Sequence, residues 1–329
     1  MVSGHEPAHE LGQRLDDLAL PPWSRHRFSR RVAALADGTV LAIPILVVTG
    51  QASRPRLVCV AGVHGDEHEG VAAQLELWEE LAPDAMTGTL VLVPVANPPA
   101  FRAGMRRNPE DPVDMNRVFP GDPSGSVTER LAYHLFHDVV AGADFVLSMH
   151  GWSSGVLVVP YVEYPRDSPV TEASLAAARA FGLEYVEAWD WPVGMLVAAC
   201  NRAGIPAIEP EIGGLGCTTS EGRALYKRGV RNLMRHLGML DREPELPARV
   251  TRVTRCALRA PSGGLIRRHV ELGDAVRAGD TVATVTDLVG ITLESVVSPI
   301  DGFVAAVRLT ASVNPGDMLA VIFQPLGAG

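Results

Sequence analysis

Apolar runs alternate with amphipathic stretches over roughly residues 39–240 of the sequence. Residues 69–81 and 127–140 repeat apolar side chains at the spacing of a helix. Four other runs have the length and uninterrupted apolar character of strands buried on both faces, at residues 39–48, 56–62, 89–96 and 144–150. This alternation predicts an α/β domain with a mostly parallel sheet flanked by helices. Functional residues are then expected at the carboxyl ends of its strands.

The pattern changes after a charged, proline-containing segment at residues 241–247. Beyond it, short β-like pieces alternate with turn signals such as "APSGG", "SPIDG" and "NPGD", as in a small all-β barrel or sandwich. We therefore expect an α/β domain at residues 1–245 and a small β domain at residues 250–329. The second piece resembles biotinyl and lipoyl carrier domains, but it contains no lysine to modify. A structural role, or a wall of the active-site entrance, is expected instead.

Composition narrows the class of partner. The 329 residues carry a formal net charge of −9, which argues against nucleic acid, since phosphate binding needs a basic surface. No apolar stretch approaches the ~18 residues of a membrane span. Residues 1–22 lack the basic and apolar regions of a secretory signal, and the four cysteines are widely spaced. We expect no disulfide framework and a cytoplasmic location.

The stretch "VAGVHGDEHEG" at residues 60–70 concentrates possible metal ligands. One interpretation is an H-x-x-E-H helix, in which His64 and His68 bind zinc and Glu67 is the base. The other is a strand-to-helix turn, in which only His64 and Glu67 are ligands. The preceding strand and Gly65 favour the turn, where Asp66, His68 and Glu69 would be solvated or helix-capping residues.

A zinc site of the second kind needs one more protein ligand. His150 closes the run at residues 144–150 and is a candidate, although a histidine at a strand end is often an ordinary polar residue. Glu209 and Glu211 end another apolar run, where they are either solvated or include a catalytic base. The polar, proline-rich segment at residues 97–121 is a long loop of the functional kind, or a plain turn with Asn116 and Arg117 on the surface.

Five motifs occur together in one order: "GVHGDE", "NPPAF", "DMNRVFPG", "SMHG" and "PEIGG". Over roughly residues 40–240 the chain thereby resembles the succinylglutamate desuccinylase/aspartoacylase family of the zinc carboxypeptidase superfamily. The β-rich C-terminal piece is similar to the domain that such proteins append. The resemblance implies a zinc-carboxypeptidase-like fold with a mostly parallel or mixed sheet, and one zinc ion per chain.

By this resemblance, the metal ligands are His64, Glu67 and His150. The general base is Glu211, and Asp114 is the carboxylate that holds His64. The substrate carboxylate would bind to Asn116 and Arg117, for which a planar guanidinium is well suited. Arg106 would stabilise the oxyanion, with its neighbour Arg107 as the alternative.

Two positions depart from the family pattern. Family members often have Asp-Leu before the third ligand, where this chain has Ser148 and Met149, so a supporting carboxylate is lost. Glu209 precedes Pro210 and Glu211, and it either points into the pocket, favouring a cationic substrate group, or faces solvent.

The function implied is a zinc-dependent amidohydrolase, a deacylase of N-acyl amino acids or similar small amides. A carboxypeptidase-like metallopeptidase is the alternative, and a non-catalytic binding protein is a further one. The same ligands accept other divalent ions. We expect a small-molecule N-acylated substrate, neither nucleic acid nor membrane as partner, and a chain that is free to form homo-oligomers. Four aromatic residues either line the substrate pocket or belong to the core: Trp152, Tyr161, Trp189 and Trp191.

Overall fold

A computed structural model describes residues 8–326. The helices are α1 (Glu69–Glu80), α2 (Pro98–Ala103), α3 (Val127–His134), α4 (Thr171–Phe181), α5 (Leu196–Arg202) and α6 (Ser220–His236). A π-helical turn, Leu135–Val140, extends α3, and there are short 3-10 turns at Leu15–Asp17, Pro83–Ala85 and Met115–Arg117.

The strands of the first two thirds of the chain are β1 (His9–Glu10), β2 (Ser24–Ala34), β3 (Val40–Thr49), β4 (Arg56–Val60), β5 (Thr89–Val93), β6 (Phe145–Ser148), β7 (Val156–Val158), β8 (Tyr161–Pro165), β9 (Tyr185–Trp189) and β10 (Ala207–Glu211). Those that follow are β11 (Thr251–Arg259), β12 (Gly264–Arg268), β13 (Ala275–Val276), β14 (Thr281–Thr286), β15 (Thr292–Val297), β16 (Gly302–Arg308), β17 (Ser312–Val313) and β18 (Met318–Pro325).

The central sheet is mixed. Its order runs β1-β2-β3-β5-β4-β6-β10-β8-β9 and then continues through β11-β18-β16-β13. Strands β5, β4, β6 and β10 are parallel neighbours, whereas β3 and β8 run antiparallel to the strands beside them in this block. A second, four-stranded sheet has the order β15-β14-β12-β17 and is antiparallel. The predicted α/β fold with an added all-β piece is therefore confirmed.

Helices cover both faces of the sheet and complete two hydrophobic cores. One core contains Leu131 of α3 and Leu196 of α5, and the other contains Leu77 of α1, Phe181 of α4 and Leu233 of α6. The predicted helices at 69–81 and 127–140 are confirmed, and the second has its start defined by a Ser126–Glu129 capping box.

Three of the four predicted strands have the expected environment. Every residue of β4, β5 and β6 is buried, as the uninterrupted apolar runs predict. The expectation that residues 39–48 form a strand buried on both faces is wrong. Strand β3 alternates between buried and more exposed positions over its first half, because that half pairs with β2 alone, whereas β5 pairs only with residues 46–49.

The C-terminal strands continue the central sheet. Strand β11 pairs in parallel with β9, and β16 pairs with β7, so the piece after residue 250 is hydrogen-bonded to the first domain along two strands. The division at residues 245–250 remains a prediction.

Among the helices of residues 8–326, none combines the length and the apolar character that a membrane crossing requires. The first seven residues of the segment judged not to be a secretory signal lie outside the described residues.

Candidate metal and catalytic site

Three adjacent parallel strands deliver the candidate residues to one edge of the sheet. The loop after β4 carries His64 and Glu67, His150 follows β6, and Glu211 ends β10. Because β4, β6 and β10 are successive parallel neighbours, their carboxyl ends meet. The backbone of His150 also bridges Glu211, which holds the two strand ends together.

The segment between β4 and α1 is a tight turn. Gly62 has a φ of +62°, a conformation that favours glycine, and α1 begins only at Glu69. A Cβ on Gly65 would overlap backbone atoms of Ala100 and Phe101, so the turn lies directly against α2. The H-x-x-E-H helix is therefore wrong, and the strand-to-helix turn is what the chain forms.

His64, Glu67 and His150 form a buried cluster whose possible ligand atoms all lie within 4.8 Å of one another. His64 Nδ1 lies 2.7 Å from Glu67 Oε1, and His150 Nδ1 lies 2.8 Å from Glu67 Oε2. Two imidazoles and one carboxylate are an ordinary donor set for catalytic zinc, with bonds of about 2.0–2.2 Å. The chemistry and spacing of these side chains fit a zinc ion held by three protein ligands.

The outward-facing imidazole nitrogens also have neighbours. His64 Nε2 lies 3.2 Å from Asp114 Oδ1, the carboxylate predicted to hold it. His150 Nε2 lies 3.0 Å from Ser148 Oγ and 3.5 Å from Glu209 Oε2. Such contacts fix which nitrogen of each ring is directed toward a metal.

Charge and burial act in opposite directions on these groups. Burial alone would raise the pKa of Glu67, but the charges of His64 and His150 outweigh it and lower that pKa below its ordinary value. Burial alone would lower the pKa of His150, but the charges of Glu209 and Glu67 raise it to about 10. For Asp114, hydrogen bonding to His64 likewise outweighs burial and lowers the pKa.

Glu211 faces the same cavity as these three residues. Its Oε2 atom is buried and has no hydrogen-bond partner within residues 8–326. Burial, reinforced by the negative charge of Glu67, raises the pKa of Glu211 well above its ordinary value. A carboxyl group with a raised pKa is suited to take up and return a proton.

Arg106 lies beside the cluster, with its Nη2 atom 3.0 Å from Asp114 Oδ2 and its Nη1 atom 3.7 Å from Glu67 Oε1. Its Nη1 also lies 3.3 Å from the hydroxyl of Ser153, a neighbour that no motif indicated. Arg107 lines the same cavity but is more exposed. Of the two candidates, Arg106 is thus the one in contact with the cluster.

The predicted carboxylate-binding pair borders the same space. The carbonyl oxygen of the buried Asn116 side chain accepts a hydrogen bond of 3.0 Å from the Leu196 amide. Arg117 Nη1 donates to the backbone carbonyl of Asn116 over 2.6 Å, and its side chain is exposed. The cavity has a volume of about 710 Å³. The segment 97–121 is less irregular than expected, because it contains α2 and a 3-10 turn.

Of the two alternatives for Asp66 and Glu69, solvated or helix-capping, the solvated one is wrong. Glu69 is the first residue of α1 and Asp66 precedes the helix, and both are buried, because each hydrogen-bonds a distant loop. Asp66 Oδ2 accepts from the backbone amide of Ser154 over 2.9 Å, and Glu69 Oε1 accepts from that of Thr219 over 2.9 Å. The two carboxylates anchor the loops that follow His150 and Glu211.

Of the four aromatic residues with open roles, Trp152 and Trp189 line the cavity, whereas Tyr161 belongs to a buried core. Trp191 packs partly against one of the large cores and donates from Nε1 to Glu163 over 3.1 Å.

The C-terminal strands form one wall of the cavity. This agrees with one of the two roles expected for residues 250–329, a wall of the active-site entrance. Arg255 of β11 lies over the ring of Trp189, 4.1 Å from its centroid, and forms ion pairs with Glu163 and Glu187. The remaining C-terminal residues of the lining are Ala257, Arg259, Arg308, Asp317, Met318 and Val321. Sequence reasoning missed Arg255, because no motif marks it and its partners are far away in the chain.

Comparison with known proteins identifies relatives along most of the chain. The sequence is 34% identical to N-alpha-acetyl-L-2,4-diaminobutyric acid deacetylase of Halomonas elongata over 304 residues, which cover 88% of this chain and 87% of that protein. It is 39% identical to succinylglutamate desuccinylase of Burkholderia orbicola over 92 residues, 26% of this chain and 24% of the other.

Solved structures share the whole architecture. The product-bound ectoine utilization protein EutE (DoeB) from Ruegeria pomeroyi matches with a TM-score of 0.86 and 28% identity over 93% of this chain and 97% of that one. A succinylglutamate desuccinylase/aspartoacylase from Rhodobacter sphaeroides gives 0.86 and 29% over 94% and 98%. Residues 53–237, more than half of the chain, match the succinylglutamate desuccinylase/aspartoacylase catalytic domain. The chain therefore belongs to the succinylglutamate desuccinylase/aspartoacylase family.

Proposed function

We propose that this protein is a zinc-dependent amidohydrolase that removes a short acyl group from the amine of an N-acyl amino acid. The observation that carries the proposal is the buried cluster of His64, Glu67 and His150, with Glu211 in the same cavity, where its Oε2 atom has no hydrogen-bond partner among residues 8–326. The deacetylase and desuccinylase relatives support an amidohydrolase of N-acyl amino acids.

In this proposal His64, Glu67 and His150 would hold the zinc ion. The ion would supply a Lewis acid for the scissile carbonyl and for a water molecule. Asp114 holds the His64 ring by its Nε2 atom, so the ligand keeps one orientation. The hydroxyl of Tyr226 donates to the backbone carbonyl oxygens of His150 and Pro210 and thereby holds the backbone of His150 in place.

Glu211 acts as the general base and then as the general acid. Its carboxylate takes a proton from the attacking water and delivers it to the nitrogen of the leaving amine. The amide C–N bond breaks, and the products are a carboxylate and a free amino acid. A proton transfer of this kind typically contributes about 10²–10⁴-fold to the rate.

Arg106 stabilises the negative charge that develops on the carbonyl oxygen. One such donor commonly contributes about 2.7–4 kcal/mol. Its contacts with Asp114 and Ser153 hold the guanidinium beside the cluster before substrate binds. Asn116 and Arg117 bind the substrate carboxylate at the edge of the cavity and orient the amide.

Two of the relatives support a choice of acyl group and amine for this proposal. An N-alpha-acetyl-L-2,4-diaminobutyric acid deacetylase aligns over most of the chain, whereas the desuccinylase relative aligns over a quarter of it. We therefore propose an acetylated amino acid with a second amino group as the substrate class. We also propose residues 1–245 as the catalytic domain, residues 250–329 as an added wall, and a cytoplasmic location.

The experiment that tests this function measures free-amine release from a panel of N-acyl amino acids and dipeptides, before and after treatment with a chelator. Chelator-sensitive release from acetylated diamino acids is expected. Cleavage of dipeptides alone would replace the proposal with the carboxypeptidase alternative. A second test uses Glu67→Ala, which should no longer bind zinc. Undiminished zinc binding in this variant would remove Glu67 from the ligand set.

A further inference from the structure

The third ligand of the proposed metal site has no carboxylate beside it on its own strand. Ser148 and Met149 precede His150. The hydroxyl of Ser148 lies 3.0 Å from His150 Nε2, but a hydroxyl carries no negative charge. A ligand imidazole generally has a carboxylate, a carbonyl oxygen or a water at its second nitrogen.

A carboxylate from the neighbouring strand lies at this position. Glu209 of β10 has its Oε2 atom 3.5 Å from His150 Nε2, and the two side chains are 3% and 2% exposed. Strand β10 pairs in parallel with β6, with Ile208 opposite Leu147, so the side chains of β10 lie beside those that follow β6. The solvent-facing position considered for Glu209 is therefore wrong.

Within residues 8–326, Glu209 forms an ion pair only with His150, and it also borders the cavity. Its Oε2 atom makes no hydrogen bond there, so the approach of 3.5 Å to His150 Nε2 is a contact between charged groups, and its opposite neighbour on β8 is another carboxylate, Glu163. Glu163 is occupied by Arg255, Trp191 and the hydroxyl of Tyr161. A buried carboxylate is costly unless a cation or a donor faces it, and in this site that group is the His150 ring.

We propose that Glu209 is a positioning residue that supplies, from the adjacent strand, the carboxylate that Ser148 does not provide. It orients the His150 ring with Nδ1 toward the metal and increases the electron density on that nitrogen. The inference depends on the proposed metal site, and it assigns Glu209 to the metal ligand and not to a cationic group of the substrate.

The test measures zinc affinity directly, by competition with a chromophoric chelator, in the wild type and in Glu209→Gln, Ser148→Asp and the double variant. Loss of a supporting carboxylate typically weakens metal binding about 10–100-fold, and this is expected for Glu209→Gln. Ser148→Asp places a carboxylate beside His150 Nε2 on the ligand's own strand, so the double variant should recover most of the lost affinity. The d–d spectrum of the cobalt-substituted protein should shift in Glu209→Gln and return in the double variant.

Glu187→Gln is the matched control, because Glu187 is also a buried carboxylate of this region but pairs with Arg255. It should leave zinc affinity and the cobalt spectrum unchanged. Unchanged zinc affinity in Glu209→Gln would overturn the inference, and with a raised KM only for amine-bearing substrates it would assign Glu209 to the substrate. A double variant no better than Glu209→Gln would also overturn it. A wild type that binds no zinc would instead overturn the proposed function.

Discussion

Gly65 determines how closely the turn that carries His64 and Glu67, two of the proposed metal ligands, approaches α2. The substitution Gly65→Ala places a Cβ inside the van der Waals radius of the backbone atoms of Ala100 and Phe101. Neither is the end of a flexible side chain, so the strain cannot be relieved by a rotamer change. The turn that carries His64 and Glu67 must move away from α2.

The size of the effect follows from this overlap. The added Cβ would lie 2.0 Å from the carbonyl carbon of Ala100, whereas ordinary contacts begin at 3.4 Å, so the turn must move by about 1.4 Å. Even a misplacement of about 1 Å can cost about 100-fold in rate. It also exceeds the tolerance of about 0.5 Å within which ligands are productive. Overpacking of this kind lowers the free energy of unfolding by about 1–3 kcal/mol. We therefore expect a folded variant with weakened zinc binding and a strongly reduced kcat/KM.

Three measurements on one preparation check the expectation: zinc affinity by chelator competition, kcat/KM for the best substrate, and unfolding by urea. Gly12→Ala is the control, because an added Cβ there meets nothing within 4 Å in the described part of the chain. A Gly65→Ala protein that binds zinc and turns over like the Gly12→Ala protein would refute the reasoning.

Three further predictions concern the base and two sets of ion pairs. Glu211→Gln should keep one zinc ion per chain but lower kcat by about 10²–10⁴-fold, as metal analysis and steady-state kinetics will show. Arg255→Leu leaves the buried carboxylates of Glu163 and Glu187 unpaired and should lower the free energy of unfolding by about 3–5 kcal/mol, and an unchanged urea midpoint would contradict this. On the surface, Glu80→Gln should cost about 0.2–1 kcal/mol at neutral pH. Hydrogen bonds from two basic side chains of α6 lower the pKa of Glu80 in the folded state. The stability difference between the wild type and Glu80→Gln should therefore be fully present above the unfolded-state pKa of about 4.3 and decrease as the pH falls below it. Urea unfolding at two pH values measures this.

Long apolar runs and amphipathic stretches made part of the fold predictable from the sequence. Strands β4, β5 and β6 and helix α1 follow directly from burial on both faces or on one face. Strand β3 has an equally apolar sequence but a half-exposed environment, because exposure depends on which strands become its neighbours. The local pattern of apolar residues does not indicate which strands become neighbours in the sheet.

The residues of the candidate site also divide into those that the local sequence predicts and those that it does not. Residues in motifs, such as His64 and His150, could be proposed because glycines and strand ends constrain them locally. Arg255 and the contact between Glu209 and His150 depend on side chains brought together from separate strands, so no spacing indicates them. Asp66 looks solvated in sequence, yet it is buried because a distant loop supplies two hydrogen-bond donors.

The parallel pairing of β9 with β11 makes the cavity wall a continuation of the central sheet. A wall attached in this way cannot swing open like a hinged lid, so access to the cluster is set by the shape of a fixed opening. Arg259 and Met318 line the same cavity but belong to β11 and β18, which β8 and β9 separate from β10. We therefore expect substitutions at these two positions to leave the cluster of His64, Glu67 and His150 in place. Under the proposed function, this arrangement places the residues that would contact the outer part of the substrate on other strands than those that carry the proposed chemistry. We predict that substitutions on β11, β16 and β18 change which small amide is cleaved.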